Sequence, residues 1–357
     1  MTRPTIVLTG GGTAGHVSVN EALIPVLRDK QYDIHYIGSH DGIEKELIRR
    51  HQGVAYHAIQ SGKLRRYFSV KNFTDPFRVV AGVGQAYRLL KRIRPSIVFS
   101  KGGFVSVPVV LAAKLANIPV VAHESDVTPG LANKISLPFA AHIFTVFEST
   151  LDYVPADKST HVGAIVRPEL FEGKKEEGLR LTGLTGSRPV VIVMGGSQGS
   201  KALNDMIRDD VSNVLQSYDV IHLCGRGNRD ASKEGMEGYV QIEYATTELP
   251  HLLAASDYAL TRAGSNAIFE LLALEKPMML IPLSASQSRG DQILNARHFE
   301  SLKLAEVIEE EQLPMVPASE IIARLIEAEP VLREQMKKAS DVKTPEQMVN
   351  LILLHEN

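Results

Sequence analysis

The chain has 357 residues, a length that predicts about two domains of ordinary size. Hydrophobic residues make up 44% and charged residues 22% of the chain, which is globular usage and excludes an intrinsically disordered protein. The formal net charge is −2, so no global positive field attracts nucleic acid. The single cysteine, Cys224, excludes a disulfide framework and a cysteine-built zinc or iron–sulfur site.

No segment approaches the ~18 consecutive apolar residues of a transmembrane helix. The N-terminus lacks the charged start, apolar block and cleavage site of a signal peptide. We therefore expect a cytoplasmic protein without membrane spans.

Short apolar runs alternate with longer stretches of helical pattern along the whole chain. Most runs are uninterrupted, which is typical of strands buried on both faces of a parallel sheet. They predict strands at 5–9, 34–38, 97–100, 120–123, 143–147, 190–194, 220–224, 239–244, 258–261 and 278–283. The first and sixth runs each lead into a glycine turn and a helix, so two βα series begin there. The sequence predicts an α/β protein with two Rossmann-like, doubly wound parallel sheets facing each other across a cleft.

The domain boundary is predicted near the short segment 163–167. We expect an N-terminal domain at 1–163 and a C-terminal domain at 164–340. The remaining residues, 341–357, are predicted to form a helix that packs back on the N-terminal domain.

A glycine-rich turn, GGGTAGH at 10–16, stands between the first predicted strand and the first predicted helix. Glycine lets the backbone come close to a ligand, and the start of a helix offers free N–H groups and a positive dipole end. The turn suits an anion, although a tight turn without a ligand is an equal alternative. No clear acidic residue ends the second strand, where a dinucleotide's ribose would need one, and this weakens an NAD interpretation.

His16 is the residue of this turn that has acid–base chemistry. A neutral imidazole with a pKa near ~6.5 can accept a proton at cellular pH, and the helix N-terminus disfavours its protonated form. We interpret His16 as a candidate general base. A capping or surface histidine is the alternative.

Two further glycine turns, GGSQG at 195–199 and RAGSN at 262–266, precede helices of the C-terminal domain. Ser197 adds a hydroxyl donor to the backbone N–H groups, a combination that suits a phosphate oxygen. Glu270 follows within the second of these helices, where its carboxylate can accept two ribose hydroxyls. A solvated surface glutamate is the alternative. The amide side chains of the loop 286–295 can form hydrogen bonds with sugar hydroxyls.

The segment 63–94 is basic and partly aromatic, with nine Lys or Arg residues against one acid, Asp75. In an otherwise neutral protein this pattern suggests contact with an anionic membrane surface. A basic helix that packs its aromatic face inward is the alternative, and nucleic acid is less favoured because no basic groove with stacking platforms is evident. The histidines are scattered and no Asp-x-Asp follows a strand, so no metal site is predicted.

Six blocks, in order along the chain, resemble the family of bacterial peptidoglycan N-acetylglucosaminyltransferases, the MurG family, which converts lipid I to lipid II. They are GGGTAGH at 10–16, KGGFVSVP at 101–108, HESDVTPGLANK at 123–134, GGSQG at 195–199, RAGSNAIFE at 262–270 and QILNA at 292–296. The resemblance implies the GT-B architecture, no cofactor, and metal-independent, inverting transfer of GlcNAc from UDP-GlcNAc to the 4-hydroxyl of undecaprenyl-diphosphoryl-MurNAc-pentapeptide. It also implies a peripheral protein on the cytoplasmic face of the cell membrane, with cell-wall synthesis proteins as candidate partners.

The resemblance also implies roles for individual residues. His16 is the catalytic base, and His123, Glu124 and Asp126 lie on the acceptor side. The residues implied to bind UDP-GlcNAc are Thr13, Ala14, Gly15, Arg167, Ser197, Gln198, Thr246, Ser265, Asn266, Glu270 and Gln292.

The chain departs from the family pattern at a few positions. Ala14 stands where the family commonly has Gly, and Ser125-Asp126 stand where it often has Gln-Asn. Asp291 replaces a second Gln of some members, and Arg167 follows Ala-Ile-Val rather than Asn-Pro-Val. These changes indicate a divergent branch or a second copy. Two other functions stay open. A nonhydrolysing UDP-GlcNAc 2-epimerase shares the architecture, and the departures at Ser125 and Asp126 leave room for a noncatalytic UDP-sugar-binding protein of the cell-wall machinery.

Overall fold

The computed structural model describes residues 3–13, 15–62, 71–196, 198–286, 290–339 and 342–356, with 71–77 described by their backbone alone. The chain forms two compact units. The first comprises Met1–Ile165 together with Lys343–Asn357, and the second comprises Val166–Val342.

The first unit is built on a parallel sheet with helices on both faces. Its strands are β1 Thr5–Thr9, β2 Asp33–Ser39, β3 Val54–Ile59, β4 Ile97–Ser100, β5 Val120–Glu124, β6 His142–Thr145, β7 Ser159–His161 and the short β8 Ala164–Ile165. Its helices are α1 Gly15–Asp29, α2 Ile43–Ile48, α3 Lys71–Ile93, α4 Ser106–Leu115 and α5 Leu131–Ser136, with 3-10 turns at Leu137–Phe139, Glu148–Tyr153 and Ala156–Lys158. The sheet order is β3-β2-β1-β4-β5-β6-β7.

The second unit repeats this plan. Its strands are β9 Val190–Met194, β10 Asp219–Leu223, β11 Tyr239–Ile242, β12 Tyr258–Thr261, β13 Met278–Leu280 and β14 Glu306–Val307. Its helices are α6 Lys175–Thr182, α7 Lys201–Asp209, α8 Val211–Val214, α9 Leu249–Ala255, α10 Ser265–Ala273, α11 Asp291–Ser301 and α12 Ala318–Lys338, with 3-10 turns at Pro168–Glu172, Ala231–Lys233 and Glu310–Met315. The sheet order is β11-β10-β9-β12-β13-β14, and the strands are parallel. The predicted fold class, two Rossmann-like units with parallel sheets, is confirmed.

The uninterrupted apolar strands are explained by burial on both faces of the sheet. In β1, Ile6 and Leu8 pack into a core with Val17 and Leu23 of α1, whereas Val7 packs into a separate core on the opposite face. All three β1 side chains are fully buried. A strand that contributes to two cores has no polar side to expose.

The end of the described chain returns to the first unit. After β15 Val342–Lys343, α13 Pro345–Leu353 begins with a capping box between Thr344 and Gln347. Three of its side chains, Met348, Val349 and Ile352, are fully buried in the same core as α1.

The glycine turns after β1 and β9 occupy the same topological position in their two sheets. The strand order reverses beside β1 in the first sheet and beside β9 in the second. In open parallel sheets, ligands bind at the carboxyl ends of the strands, where this reversal opens a crevice. The glycine turns that follow β1 and β9 therefore stand at the two positions where the fold favours binding.

Candidate functional site

A buried carboxylate supports the glycine turn after β1. Glu44 is fully buried and accepts hydrogen bonds from the backbone N–H of Gly12 at 3.2 Å and of Ser39 at 3.0 Å. A Cβ on Gly11 would stand 2.6 Å from the Glu44 Cδ, so a larger residue there would displace this carboxylate. The sequence analysis missed Glu44, because its partners come from two different loops.

The turn after β4 packs against the turn after β1. The Gly11 N–H donates to the Gly102 carbonyl at 3.3 Å. Gly103 has φ +85°, and a Cβ there would stand 2.1 Å from the Gly11 carbonyl oxygen. Gly103 of the block at 101–108 is thus explained by a close approach of two backbones.

His16 lies in the first turn of α1 and is partly exposed. Its Nδ1 lies 2.9 Å from the Thr13 hydroxyl oxygen. Burial lowers the pKa of His16 to about 4, and the positive charge of Lys101 lowers it further. A hydrogen bond with the Gly11 backbone acts in the opposite direction. The imidazole is therefore neutral at cellular pH. Gly15 is exposed at the start of the helix, and Ala14 lies outside the described residues.

The predicted acceptor residues occur together at the end of β5. His123 is 1% exposed, and neither ring nitrogen has a hydrogen-bond partner among the described residues. Burial holds its pKa well below the ordinary value, with Lys101 adding to the effect, so this imidazole is also neutral.

Glu124 is a structural carboxylate at the same place. It accepts hydrogen bonds from the backbone N–H of Ser125 at 2.8 Å, of Asp126 at 3.0 Å and of Gly130 at 3.1 Å, and from Asn133 Nδ2 at 2.8 Å. Burial is the main cause that raises the pKa of Glu124, and the charge of Asp126 also raises it, whereas these hydrogen bonds lower it. The loop at 123–130 therefore winds around one buried carboxylate. Asn133 was not among the predicted site residues, although it lies in a block singled out by the resemblance.

The glycine turn after β9 meets the turn after β10. Gly199 has φ +79°, and a Cβ there would stand 2.1 Å from the Cys224 carbonyl oxygen. Gln198 is exposed, and its carbonyl accepts a hydrogen bond from Asn228 Nδ2 at 3.2 Å. Ser197 lies outside the described residues, so its predicted contact with a phosphate stays a prediction.

Arg262 fixes the start of α7, which follows this turn. Arg262 is 8% exposed, and its guanidinium donates to the Ser200 hydroxyl at 2.7 Å and to the Ile281 carbonyl at 3.1 Å. It also pairs with Glu310. Ser200 in turn caps α7 by accepting from the Leu203 N–H at 3.4 Å. The turn after β9 is therefore tied to the turn after β12.

Glu270 and Arg167 are brought together across 103 positions of the chain. Arg167 Nη2 donates to Glu270 Oε1 at 3.2 Å. The Glu270 side chain is 20% exposed, and burial raises its pKa while Arg167 opposes that shift. At the start of the same helix, α10, Ser265 is buried and Asn266 is half-buried.

The remaining predicted donor residues lie on loops of the second unit. The Gln292 Oε1 accepts from the Leu283 N–H at 3.1 Å, so this side chain holds the loop before α11. Thr246 is exposed, and its N–H donates to the Glu248 carboxylate at 3.1 Å. Close to it in sequence, a cavity of about 560 Å³ is lined by Arg226, Arg229, Gln241, Ile242, Glu243 and Tyr244. The Arg226 guanidinium lies 5.0 Å from the centre of the Tyr244 ring.

The described part of the basic segment exposes its cations. On α3 and just after it, the exposed basic residues are Arg78, Arg88, Lys91, Arg92 and Arg94. Val80 on the same helix is 71% exposed, whereas Ala86 and Leu90 are buried against α4. The predicted aromatic residues of this segment lie at 67–77, outside the described residues or with only their backbone described.

The described residues form neither a cluster of metal ligands nor a helix suited to cross a membrane. No three His, Cys, Asp or Glu side chains there are grouped as metal ligands would be. None of the helices formed by the described residues combines the length and hydropathy that a membrane crossing requires.

Both units match models of one protein family. Residues 6–145 match the glycosyltransferase family 28 N-terminal domain, and residues 190–351 match the glycosyltransferase family 28 C-terminal domain. A protein of Geobacillus kaustophilus is 56% identical over 337 residues, covering 94% of each chain. A protein of Oceanobacillus iheyensis is 50% identical over 347 residues, covering 97% of each chain. Both are named UDP-N-acetylglucosamine--N-acetylmuramyl-(pentapeptide) pyrophosphoryl-undecaprenol N-acetylglucosamine transferase.

Solved structures share the fold at low sequence identity. MurG of Acinetobacter baumannii superposes with a TM-score of 0.78 at 20% identity, covering 98% of this chain and 99% of that one. A putative UDP-N-acetylglucosamine 2-epimerase of Listeria monocytogenes superposes with a TM-score of 0.66 at 10% identity, covering 99% and 95%. Likeness at these identities shows the fold alone, so the epimerase gains no support as a function from it.

Proposed function

The chain belongs to glycosyltransferase family 28, and we propose that it transfers N-acetylglucosamine from UDP-GlcNAc to the 4-hydroxyl of the MurNAc unit of undecaprenyl-diphosphoryl-MurNAc-pentapeptide, forming lipid II. The observation that carries this proposal is the high identity, over nearly the whole of both chains, to relatives that bear the name of this transferase. The geometry agrees, because neutral histidines and glycine turns stand at the carboxyl ends of the strands.

The second unit binds the donor in this proposal. The turn at 195–199 and the start of α10 present backbone N–H groups and positive dipole ends to the diphosphate. Glu270 accepts the ribose hydroxyls, and Arg167 favours the ionised form of its carboxylate, whose pKa is raised by burial. As the bond from the anomeric carbon to UDP breaks, the same N–H groups stabilise the charge that develops on the leaving diphosphate. Such oriented donors typically contribute ~3–4 kcal/mol each to a transition state.

His16 of the first unit accepts the proton of the attacking hydroxyl. When its Nδ1 carries the hydrogen and donates to Thr13, the Nε2 lone pair is left for the 4-hydroxyl. The sugar oxygen forms its bond to the anomeric carbon on the face opposite UDP, so the linkage inverts to β-1,4. A pKa of about 4 makes His16 a weak base in the free protein. The negative diphosphates of the two substrates raise that pKa on binding, toward the range where proton transfer is efficient.

The assay uses the purified full chain, labelled UDP-GlcNAc and a lipid I analogue. The expected product is the lipid-linked disaccharide, formed at a rate that His16→Ala reduces strongly. Conversion of UDP-GlcNAc to UDP-ManNAc without acceptor would identify an epimerase instead. Donor binding without either product would identify a noncatalytic sugar-nucleotide protein.

The five exposed cations on α3 and just after it bind an anionic membrane surface in this proposal, which assigns the protein to the cytoplasmic face of the cell membrane. Each Lys or Arg close to such a surface contributes about 1 kcal/mol, so five suffice for reversible binding at low salt. Sedimentation with phosphatidylglycerol vesicles tests this against the triple variant Arg88→Gln, Lys91→Gln, Arg92→Gln. The control is Lys337→Gln, Lys338→Gln on the last turn of α12, compared with the double variant Lys91→Gln, Arg92→Gln, which removes the same number of charges. Equal sedimentation of the two double variants, or binding that salt does not weaken, would contradict the assignment.

A further inference from the structure

Glu44 is enclosed at the start of α2, next to the turn that follows β1. It is fully buried. A Cβ placed on Gly11, Gly38 or Gly42 would stand 2.6 Å, 3.0 Å or 2.2 Å from an atom of its side chain. Three glycines therefore leave the space that this side chain occupies. A buried carboxylate costs a large desolvation free energy unless hydrogen bonds compensate it, so its donors matter for the fold of this region.

Two elements supply those donors. Glu44 Oε2 accepts from the Gly12 N–H at 3.2 Å, and its Oε1 accepts from the Ser39 N–H at 3.0 Å and from the Ser39 hydroxyl. Three donors thus face two oxygens that act only as acceptors. The last register pair of β1 and β2 is Thr9 with Ile37, so Glu44 extends the connection between these strands beyond their ladder.

The turn that Glu44 holds leads directly to the contacts of the predicted base. Gly12 has φ +90° and precedes Thr13. The Thr13 hydroxyl oxygen lies 2.9 Å from His16 Nδ1, and the Thr13 carbonyl accepts from the His16 N–H at 3.2 Å. The residue that Glu44 holds and the residue that orients His16 are therefore neighbours in the chain.

We propose that Glu44 is a positioning residue for the transfer reaction. By holding Gly12 it places Thr13, so that His16 keeps its proton on Nδ1 and presents an unprotonated Nε2 to the acceptor hydroxyl. The inference rests on the proposed function and adds to it the residue that maintains the base. The role is indirect, since the carboxylate is enclosed and reaches the imidazole through the turn.

Glu44→Gln tests this role, because glutamine keeps the shape of the side chain and only one of its two acceptor oxygens. That oxygen faces Ser39, which offers two donors, so the amide NH2 meets the Gly12 N–H and this hydrogen bond is lost. We expect kcat to fall 10- to 100-fold, while calorimetry shows UDP-GlcNAc binding within 3-fold of wild type. Glu46→Gln, which neutralises an exposed carboxylate on the same helix, is the matched control and should keep kcat within about 2-fold.

A double-mutant cycle with Thr13→Val separates positioning from a general loss of stability. Valine is close to threonine in shape and lacks the hydroxyl that contacts His16. Because Glu44 acts through Thr13 in this proposal, adding Glu44→Gln to Thr13→Val should lower kcat less than 3-fold further. Losses that multiply in the double variant would overturn the proposal.

Nitrogen-15 NMR of the histidine rings in the unliganded full chain gives a readout that needs no activity. The His16 signals are assigned by their absence in His16→Ala. We expect wild type and Glu46→Gln to hold the His16 proton on Nδ1, and Glu44→Gln to populate the tautomer with the proton on Nε2. The same tautomer in all three proteins would overturn the proposal. If the wild type forms no lipid-linked product, the proposed function fails, while this measurement still tests the link from Glu44 to His16.

If Glu44→Gln does not fold, Gly11→Ala displaces the carboxylate while keeping its charge. The three atoms nearest to the added Cβ are all carboxyl atoms of Glu44, at 2.6 to 2.8 Å. This variant should lower kcat at least 3-fold, keep donor binding within 3-fold of wild type, and shift the His16 tautomer in the same direction. An unchanged kcat or an unchanged tautomer there would equally reject the proposed role.

Discussion

The contact between the turns after β9 and β10 yields a test with a built-in control. Gly196 and Gly199 both have positive φ, at +87° and +79°. A Cβ on Gly196 would meet nothing within 4 Å, whereas one on Gly199 would stand 2.1 Å from the Cys224 carbonyl oxygen. Gly196→Ala therefore introduces backbone strain alone, and Gly199→Ala introduces the same strain together with a collision between two backbones.

The expected magnitudes follow from these distances. Alanine in the left-handed region costs roughly 1–2 kcal/mol, part of which is offset by the lower entropy of the unfolded chain. Gly196→Ala should therefore lower the free energy of unfolding by about 1 kcal/mol. In Gly199→Ala the two turns must separate by about 1 Å, and forced displacement of this kind typically adds ~1–3 kcal/mol.

Cys224 provides the assay, because it is the only cysteine, is fully buried and carries the carbonyl in question. The rate at which a thiol reagent labels the native protein reports how often this region opens. We expect Gly199→Ala to label roughly 5- to 150-fold faster than Gly196→Ala, the ratio that corresponds to 1–3 kcal/mol. Equal labelling rates, or faster labelling of Gly196→Ala, would refute the reasoning from the close approach.

Three further predictions concern catalysis, donor binding and acid stability. His16→Ala should lower kcat by about 10²- to 10⁴-fold, the usual contribution of a general base, while calorimetry shows UDP-GlcNAc binding within 3-fold of wild type. Glu270→Ala should raise the donor KM by about 10- to 100-fold, because hydrogen bonds to a charged group are worth roughly 1.5–3 kcal/mol, and an unchanged KM would remove Glu270 from the site. His222 is fully buried between Tyr239 and Asn204, and burial lowers its pKa to about 3. As the pH falls, the unfolded chain therefore binds a proton at His222 before the folded chain does. The free energy of unfolding should then decrease between pH ~6.5 and pH 3, by up to about 1.4 kcal/mol per pH unit. Urea unfolding across this pH range should show that His222→Gln loses less free energy of unfolding than the wild type. Equal losses in the two proteins would contradict this role of His222.

Central strands were predictable from the sequence, whereas β11 was the only edge strand of the two large sheets that was predicted. The runs 5–9, 97–100, 190–194 and 258–261 coincide with β1, β4, β9 and β12, the central strands beside the two points of reversal. β3 was missed because it forms an edge of the sheet, where most of its residues are half-exposed and its apolar pattern is broken. β14 was missed because its two residues are too few for a periodic signal.

Some residues of the candidate site could be predicted from local sequence signals, and others could not. Glycine turns and a histidine at a helix start are local signals, so the position of His16 could be predicted. The resemblance implied that Arg167 and Glu270 both bind the donor, but it did not predict their pairing, which joins residues 103 positions apart. Glu44 gave no signal, and Lys101 stood out only as part of the block at 101–108. A charged residue in a sequence is ordinarily solvated, and only the folded loops show that these two are enclosed.

The return of α13 to the first unit has a consequence for biosynthesis. The second unit is one continuous stretch, Val166–Val342, inserted between two parts of the first. On the ribosome, the N-terminal segment is made early but lacks Met348, Val349 and Ile352, which complete its hydrophobic interior. The second unit can fold as soon as it leaves the ribosome. The first unit keeps apolar surface exposed until α13, which is translated after the second unit, can pack against it. Nascent chains halted before α13 should therefore depend on chaperones through their N-terminal rather than their central portion.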